Sequence, residues 1–410
     1  MTPRTSPREL DGLDLRTTHM PHSWSSRSAC PSSTSKNCLA SLVSLFVCRS
    51  SSLCPYTLRP QLKRDPLGRN RLAMKEGLVP THQSRVVAYL RAFSPLALLI
   101  GLGACSHTAS RACAGATITP GEAMLRVADG RIWYRITGTG RGTPVILLHG
   151  GPGYSSYYMK PFEALGDDRP VVRYDQLGGG KSDRITDTTL FTIDHFVREL
   201  DSLRAHLGCQ KVHLFGHSWG TILAFEYYRA HPEHVASLTL GSAALDIPTW
   251  ARNARQLVGT LSGSSQRAIR VREAQGHFDA PDYQAALNEF YGKYVWRHPV
   301  QADFDSTLAT ANEAIYNYMQ GPSEFTITGT LKRYDVTAQL ATIRVPTLYT
   351  VGEFDEANPP TIRHFAELTP GAEVAVLAGA AHLTPWDARE ENVRIVRAFL
   401  RRSDSTAMRP

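Results

Sequence analysis

Lys211–Tyr228 (KVHLFGHSWGTILAFEYY) constrains the fold more than any other stretch of the 410-residue chain. An apolar run of strand character passes through Gly216-His217-Ser218-Trp219-Gly220 straight into a helical pattern. So tight a bend needs glycine on both sides, because a Cβ there would strike neighbouring backbone. It leaves the Ser218 hydroxyl projecting at the carboxyl end of a strand. It also sets the Trp219 amide at a helix N-terminus, pointing at developing negative charge. Such a unit belongs to a parallel sheet with helices packed against it.

The rest of the chain from Met124 agrees. MLRVADGRIWYRITG (124–138) reads as two strands around a turn at Asp129-Gly130. Pro144–Gly150, Pro170–Asp175, Val235–Gly241, Thr347–Gly352 and Ala372–Gly379 are apolar runs of strand length. Between Thr192 and Leu207, apolar residues recur at three- and four-residue steps, predicting an amphipathic helix capped by Thr192 or Asp194. Arg389–Arg401 reads as a closing helix. Alternation of this kind predicts an α/β fold: a mostly parallel sheet with helices on both faces. Between Leu245 and Thr342 the alternation lapses into a helical, aromatic-rich pattern carrying Trp250, Tyr283, Phe290, Tyr291, Tyr294, Trp296, Tyr316 and Tyr318. This stretch reads as a helical cap, its aromatics chiefly packing against one another. The predicted organisation is a core of 121–245 and 343–402 with a cap of 246–342 inserted.

A serine nucleophile needs a base, and the base needs an orienting acid. Asp355 lies just past one predicted strand (Thr347–Gly352) and His382 just past another (Ala372–Gly379), so both fall on the sheet edge that carries Ser218. Their rivals are Glu353 and Asp387 as acid, and His217 and His364 as base. His217 adjoins the nucleophile along the chain, so its ring should point away; His364 sits in a helical pattern. The second oxyanion donor is expected from His149-Gly150-Gly151-Pro152-Gly153, the turn after another strand, through the Gly151 amide. Gly178-Gly179-Gly180-Lys181-Ser182 lacks the earlier glycine of a phosphate-binding loop. No Cys/His spacing suggests a metal site.

Charge separates the folded part from what precedes it. Residues 1–73 hold 11 Lys+Arg against 4 Asp+Glu, and 74–104 hold 3 against 1, so the whole formal +8 lies before Cys105. That argues against nucleic-acid binding, which clusters basic charge on a folded surface. Residues 1–73, with 13 Ser and no sustained period, read as a disordered or untranslated extension. Met74 begins a second pattern: basic residues (Lys75, Arg85, Arg91), an uncharged run Phe93–Ala104, then Cys105. This is the layout of a secretory signal peptide, with synthesis expected to start at Met74, and its apolar run is too short to span a bilayer. Leu102-Gly103-Ala104-Cys105 resembles the lipobox of bacterial lipoproteins, which implies lipidation of Cys105, a membrane partner through that anchor, and an envelope location; the alternative is a cytoplasmic protein. Residues 105–120 read as a tether. Cys113 reads as a free thiol, with Cys209 the only mature cysteine available to it besides Cys105.

The motifs together resemble the proline iminopeptidase family of α/β-hydrolases, closest to the branch containing the tricorn-interacting aminopeptidase. They are HGGPG (149–153), DQLGGGKSD (175–183), GHSWG (216–220), GPSEFTITGTLKRYD (321–335), VGEFDE (351–356) and AHLTPWD (381–387), within a resemblance spanning about residues 120–402. It implies the α/β-hydrolase fold and a cofactor-free serine aminopeptidase that releases proline or other small or apolar N-terminal residues from short peptides. By the same resemblance Ser218, Asp355 and His382 match the catalytic residues, and Gly151 and Trp219 the oxyanion donors. Glu324 matches the cap glutamate that holds the substrate ammonium, with Glu289 a second candidate. One departure stands out: Leu177 replaces the arginine found in prolyl-specific members. A carboxylesterase or amidase with the same triad, and a catalytically silent binding protein on the same fold, are the alternatives.

Overall fold

A computed structural model describes Cys113 and residues 118–407. The readings of residues 1–73, of the signal segment, of Cys105 and of most of the tether fall outside the described residues.

Eight strands form one sheet: β1 (Gly121–Val127), β2 (Gly130–Thr137), β3 (Val145–Leu148), β4 (Val171–Asp175), β5 (Val212–His217), β6 (Val235–Gly241), β7 (Thr347–Gly352) and β8 (Glu373–Leu377), in the order β1-β2-β4-β3-β5-β6-β7-β8. β1, β2 and β4 pair antiparallel, and every later pairing is parallel. Val127 and Gly130 pair directly, so Ala128-Asp129 form the two-residue hairpin turn that Asp129-Gly130 signalled. β3, β5 and β7 are buried along their whole lengths, which is why they read as continuous apolar runs rather than alternating ones.

Successive residues of β3 serve opposite faces. Ile146 and Leu148 join α1 (Ile193–His206) and α2 (Trp219–Ala230) in one core. Val145 and Leu147 pack with Met159 and Phe162 of the 3-10 segment Tyr157–Asp167 and with Val396, Phe399 and Leu400 of the last helix in the other. Thr192 caps α1, its hydroxyl accepting from the His195 amide. Five helices separate β6 from β7: α3 (Ile247–Val258), α4 (Gly263–Gln275), α5 (Pro281–Tyr294), α6 (Gln301–Ala309) and α7 (Glu313–Met319). The insertion is closed at its base, where the Ile247 amide donates to Tyr334 O and the Val336 amide to Leu245 O. After β7 come α8 (Pro359–Leu368), the single turn α9 (Thr384–Asp387) and α10 (Arg389–Ala407), which continues six residues past the expected end because no proline or glycine stops it at Arg401.

Cys113 departs from the free-thiol reading. It is disulfide-bonded to Cys209, across 96 residues of chain. Cys209 is buried between α1 and β5, and Cys113 lies against the same core. The two backbones also pair as an isolated antiparallel bridge. No helix among the described residues is long and apolar enough to cross a membrane.

Candidate active site

Strand order reverses between β4-β3 and β5, and there the loops leaving β3 and β5 part to opposite faces and open a crevice at the strand ends. Leu148 pairs with Gly216, which places the HGGPG turn beside the bend carrying Ser218. Ser218 has φ 56° and ψ −124°, in the left-handed half of backbone space that side chains rarely enter. Its amide donates to Gly241 O (3.0 Å), and its carbonyl accepts from Thr221 Oγ1 (2.6 Å), so the bend is held from both sides. A Cβ at Gly216 would lie 2.1 Å from Gly220 O, and one at Gly220 would lie 2.1 Å from Leu148 O. Both glycines are therefore obligatory. Trp219 is the first residue of α2, and its amide precedes any intrahelical acceptor.

The structure brings His382 and Asp355 to the same edge. His382 Nδ1 donates to Asp355 Oδ1 (2.9 Å), which turns Nε2 toward the cavity that Ser218 and His382 both line. Asp355 is buried and also accepts from Ser242 Oγ (2.6 Å) and from the amides of Gly352 and Ala357. Burial alone would raise its pKa, but the His382 charge and these hydrogen bonds outweigh it and hold the carboxyl below its ordinary value. The rivals lie elsewhere. Glu353 caps the Gly379 amide, Asp387 accepts the amides of Arg297, His298 and Ala381, and His364 is exposed beside Glu367.

His217 points away from the Ser218 hydroxyl yet joins two loops of the site. Its Nε2–H donates to His382 O (2.8 Å), leaving Nδ1 to accept from Tyr158 Oη (3.1 Å), whose oxygen accepts in turn from the Gly150 amide. Burial depresses the His217 pKa to about 3, so the ring is neutral and its tautomer is set by these partners. The turn itself is pinned by Gln176, which donates through Nε2 to His149 O (3.1 Å) and accepts from Trp219 Nε1 (2.8 Å). Gly151 takes φ +49°, and a Cβ there would strike the Tyr154 ring at 2.4 Å. Gly180 packs against Asp175, which accepts from Ser156 and Lys181, while Gly178 and Gly179 pack against Ile315 and the Tyr154 carbonyl, so the triple glycine is a packing device.

Over Ser218 the cap and core enclose a cavity of about 120 Å³, and Ser218 also borders a recess of about 10 Å³. Glu324 lines both. It accepts from Tyr316 Oη (2.6 Å) and Gln320 Nε2 (3.2 Å), and desolvation raises its pKa against the pull of His382. Glu356 lies behind it, fully buried, with no hydrogen-bond donor reaching either carboxylate oxygen among the described residues. Desolvation first, then the charges of Glu324 and Asp355, push its pKa well up. Glu289 does not reach the cavity. It sits on the outer surface of the cap, accepting from Ser262, Ser265 and Lys293, and those hydrogen bonds, Ser265 foremost, lower its pKa to about 2. It ties the start of α4 to α5, which corrects its reading as an amine ligand.

Residues 143–388 match the family described as alpha/beta hydrolase fold. A proline iminopeptidase of Heyndrickxia coagulans is 41% identical over 282 residues, covering 68% of this chain and 98% of that protein. This chain belongs to the proline iminopeptidase family. A second such enzyme, from Saccharolobus solfataricus, is 33% identical over 296 residues, 70% of this chain and 94% of its own length. Among solved structures, the proline iminopeptidase of Mycobacterium smegmatis superposes with a TM-score of 0.65 at 31% identity, covering 70% of this chain and all of that one. VinJ gives 0.66 at 31% identity, covering 69% and 99%. The shared region is the hydrolase core with its cap.

Sequence reasoning missed Glu356, Ser242, Tyr158 and the linking role of His217. Glu356 carried one usable signal, its place directly after Asp355 on a strand-end turn. Tyr158 carried none, since it falls in a segment with no clear period. Among the described residues Asp201 of α1, His231 just after α2 and His234 of the 3-10 turn Pro232–His234 bring possible metal-ligand atoms within 4.8 Å of one another. Asp201 there is already bonded by Arg204 and Tyr227.

Proposed function

We propose that this member of the proline iminopeptidase family is a serine aminopeptidase that releases a compact first residue from short peptides through an acyl-enzyme. His382 Nε2 takes the Ser218 proton as the hydroxyl attacks the first peptide carbonyl, and Asp355 holds the ring and stabilises the imidazolium. The oxyanion accepts from the Gly151 and Trp219 amides, each such donor typically contributing about 3–4 kcal/mol to the transition state. His382 returns the proton to the leaving amine, then activates the water that frees the acyl group.

One observation carries the peptidase reading over a plain esterase: Glu324 lines both spaces that border Ser218, with the buried Glu356 carboxyl close to it. A carboxyl that lines the space around Ser218, with a second buried carboxyl whose pKa its charge raises, is a poor arrangement for an uncharged ester and a good one for a substrate that brings an ammonium. Glu324 contacts the amine, and Glu356, held protonated in the free protein, ionises more readily once an ammonium is bound beside it. The recess of about 10 Å³ between Trp250 and Leu331 has room for about one water, which favours proline, alanine or similarly small first residues. The Cys113–Cys209 disulfide supports an oxidising, extracytoplasmic compartment, in keeping with the signal segment and with an anchor at Cys105.

The test uses two substrates. Ser218→Ala should abolish fluorophosphonate labelling and all hydrolysis. Glu324→Gln should lower kcat/KM for aminoacyl-naphthylamides by about 100-fold or more while simple acyl esters keep most of their rate; equal loss on both would reject the amine role. Cys105→Ser should release the protein from the membrane fraction, and unchanged fractionation would overturn the anchor.

A further inference from the structure

The space around Ser218 is divided unequally, and the division fixes which side each half of the substrate occupies. His382 lines the larger cavity but not the smaller recess, whereas Trp219 lines the recess but not the cavity. The general acid must reach the departing nitrogen, so the leaving residue emerges on the His382 side. The acylated residue then lies toward Trp219 and Trp250, with its amine at Glu324, which borders both spaces.

The leaving side is an aromatic box. Tyr291 meets Trp296 edge to face (4.8 Å between centroids), Trp296 meets Phe304 (5.0 Å), Phe304 meets Trp386 (6.1 Å), and Trp386 meets Tyr158 (6.2 Å). A cavity of about 120 Å³ is close to the ~150 Å³ of an engineered apolar cavity that binds benzene. α6 contributes Phe304, Thr307 and Leu308 to its wall, and Leu308 is 49% exposed. Among the described residues, no lysine or arginine lines the cavity. A second residue bearing a carboxylate would be stripped of water there with nothing to pair it, and a glycine would leave the box unfilled.

We propose that the Tyr291–Trp296–Phe304–Trp386 box is the subsite for the residue after the scissile bond, and that it selects an aromatic or bulky aliphatic second residue. The selection rests on the aminopeptidase reading and adds to it: the first residue is chosen by exclusion, the second by burial. α6 is held to the core independently of the box, through the Lys160–Asp303 ion pair and Arg184 donating to the carbonyls of Thr310 and Ala311. Changes at the box can therefore be made on a fixed helix.

The experiment measures kcat/KM of the purified mature chain on alanyl and prolyl dipeptide amides whose second residue is Phe, Leu, Gly or Asp. Phe and Leu should exceed Gly by about 10- to 100-fold, and Asp should be the slowest. Phe304→Ala should bring the Phe-to-Gly ratio toward one. Leu308→Lys, at an exposed position that cannot unfold the cap, should lower the Phe-to-Asp ratio by about tenfold. Equal rates across the four second residues, or a Phe-to-Gly ratio untouched by both variants, would overturn the subsite while leaving the aminopeptidase intact. If no dipeptide amide is cleaved but acyl esters are hydrolysed through Ser218, the aminopeptidase reading itself fails.

Discussion

The two halves of the site are built by different means. On the core side, Ser218, His382 and Asp355 each stand on a turn directly after a strand, and the sheet sets their separation. On the cap side, Glu324 stands on an irregular stretch between α7 and the 3-10 turn Thr330–Arg333, held by Tyr316 and Gln320. The core side resists change because strand ends are fixed by a ladder of backbone hydrogen bonds. The cap side rests on side-chain packing and can be re-cut without disturbing the chemistry. Bond cleavage and substrate choice are thus separable, and substitutions on each side should show different kinetic signatures.

The largest effect belongs to the core side. Asp355→Asn keeps the shape but removes the charge that fixes the His382 tautomer. It should lower kcat by about 10⁴-fold on amides and esters alike. A loss confined to free-amine substrates would place Asp355 with the cap groups and dissolve the division.

Glu356→Gln tests the amine site, to which the core turn after β7 contributes beside the cap's Glu324. Glu356 is a carboxyl whose pKa is raised in the folded state, so above its ordinary value near 4.5 the folded protein keeps a proton that the unfolded chain has shed. Its contribution to stability therefore falls as pH rises through that window. The variant should lose about 10- to 100-fold in kcat/KM on free-amine substrates, keep its esterase rate, and gain thermal stability over the parent as pH rises from 5 to 8. A stability difference flat with pH would show that Glu356 is not held protonated.

The same division explains what could be read from the letters. Ser218, Asp355 and His382 were legible because strand, turn and helix announce themselves over five to eight residues, and a catalytic group at a strand end inherits that signal. The sheet was legible for the same reason. Cap contacts were not. Glu324 and Glu289 are both acids in helical or near-helical text, and only the fold shows that one lines a cavity while the other caps α4. Glu356 showed only its place after Asp355; that its carboxyl is buried depends on which chain segment covers it. The Cys113–Cys209 pairing depended on where the segment before β1 returns to the body.

A connection between the halves gives a smaller effect. Tyr158 joins the Gly150 amide to His217, and His217 holds the carbonyl of His382, so the oxyanion turn and the base loop share one hydrogen-bonded chain. Tyr158→Phe keeps the ring but removes the hydroxyl, leaving the buried Gly150 amide unpaired. kcat should fall about tenfold with KM nearly unchanged, for esters and amides equally. A rise in KM alone would assign Tyr158 to substrate packing rather than to positioning.

The smallest effect on activity should come from the point farthest from Ser218. Cys209 precedes β5 and Ser218 follows it, so the disulfide sits at the opposite pole of the sheet, about 20 Å away by the length of a six-residue strand. Closing 96 residues of chain, it should contribute about 2–4 kcal/mol to stability. Cys113→Ser, or reduction of the parent, should lower Tm by several degrees and leave kcat and KM unchanged below the transition. A fall in kcat at temperatures where Cys113→Ser is fully folded would mean that the staple reaches the chemistry through β5, and core and cap would no longer be the right lines along which to divide this molecule.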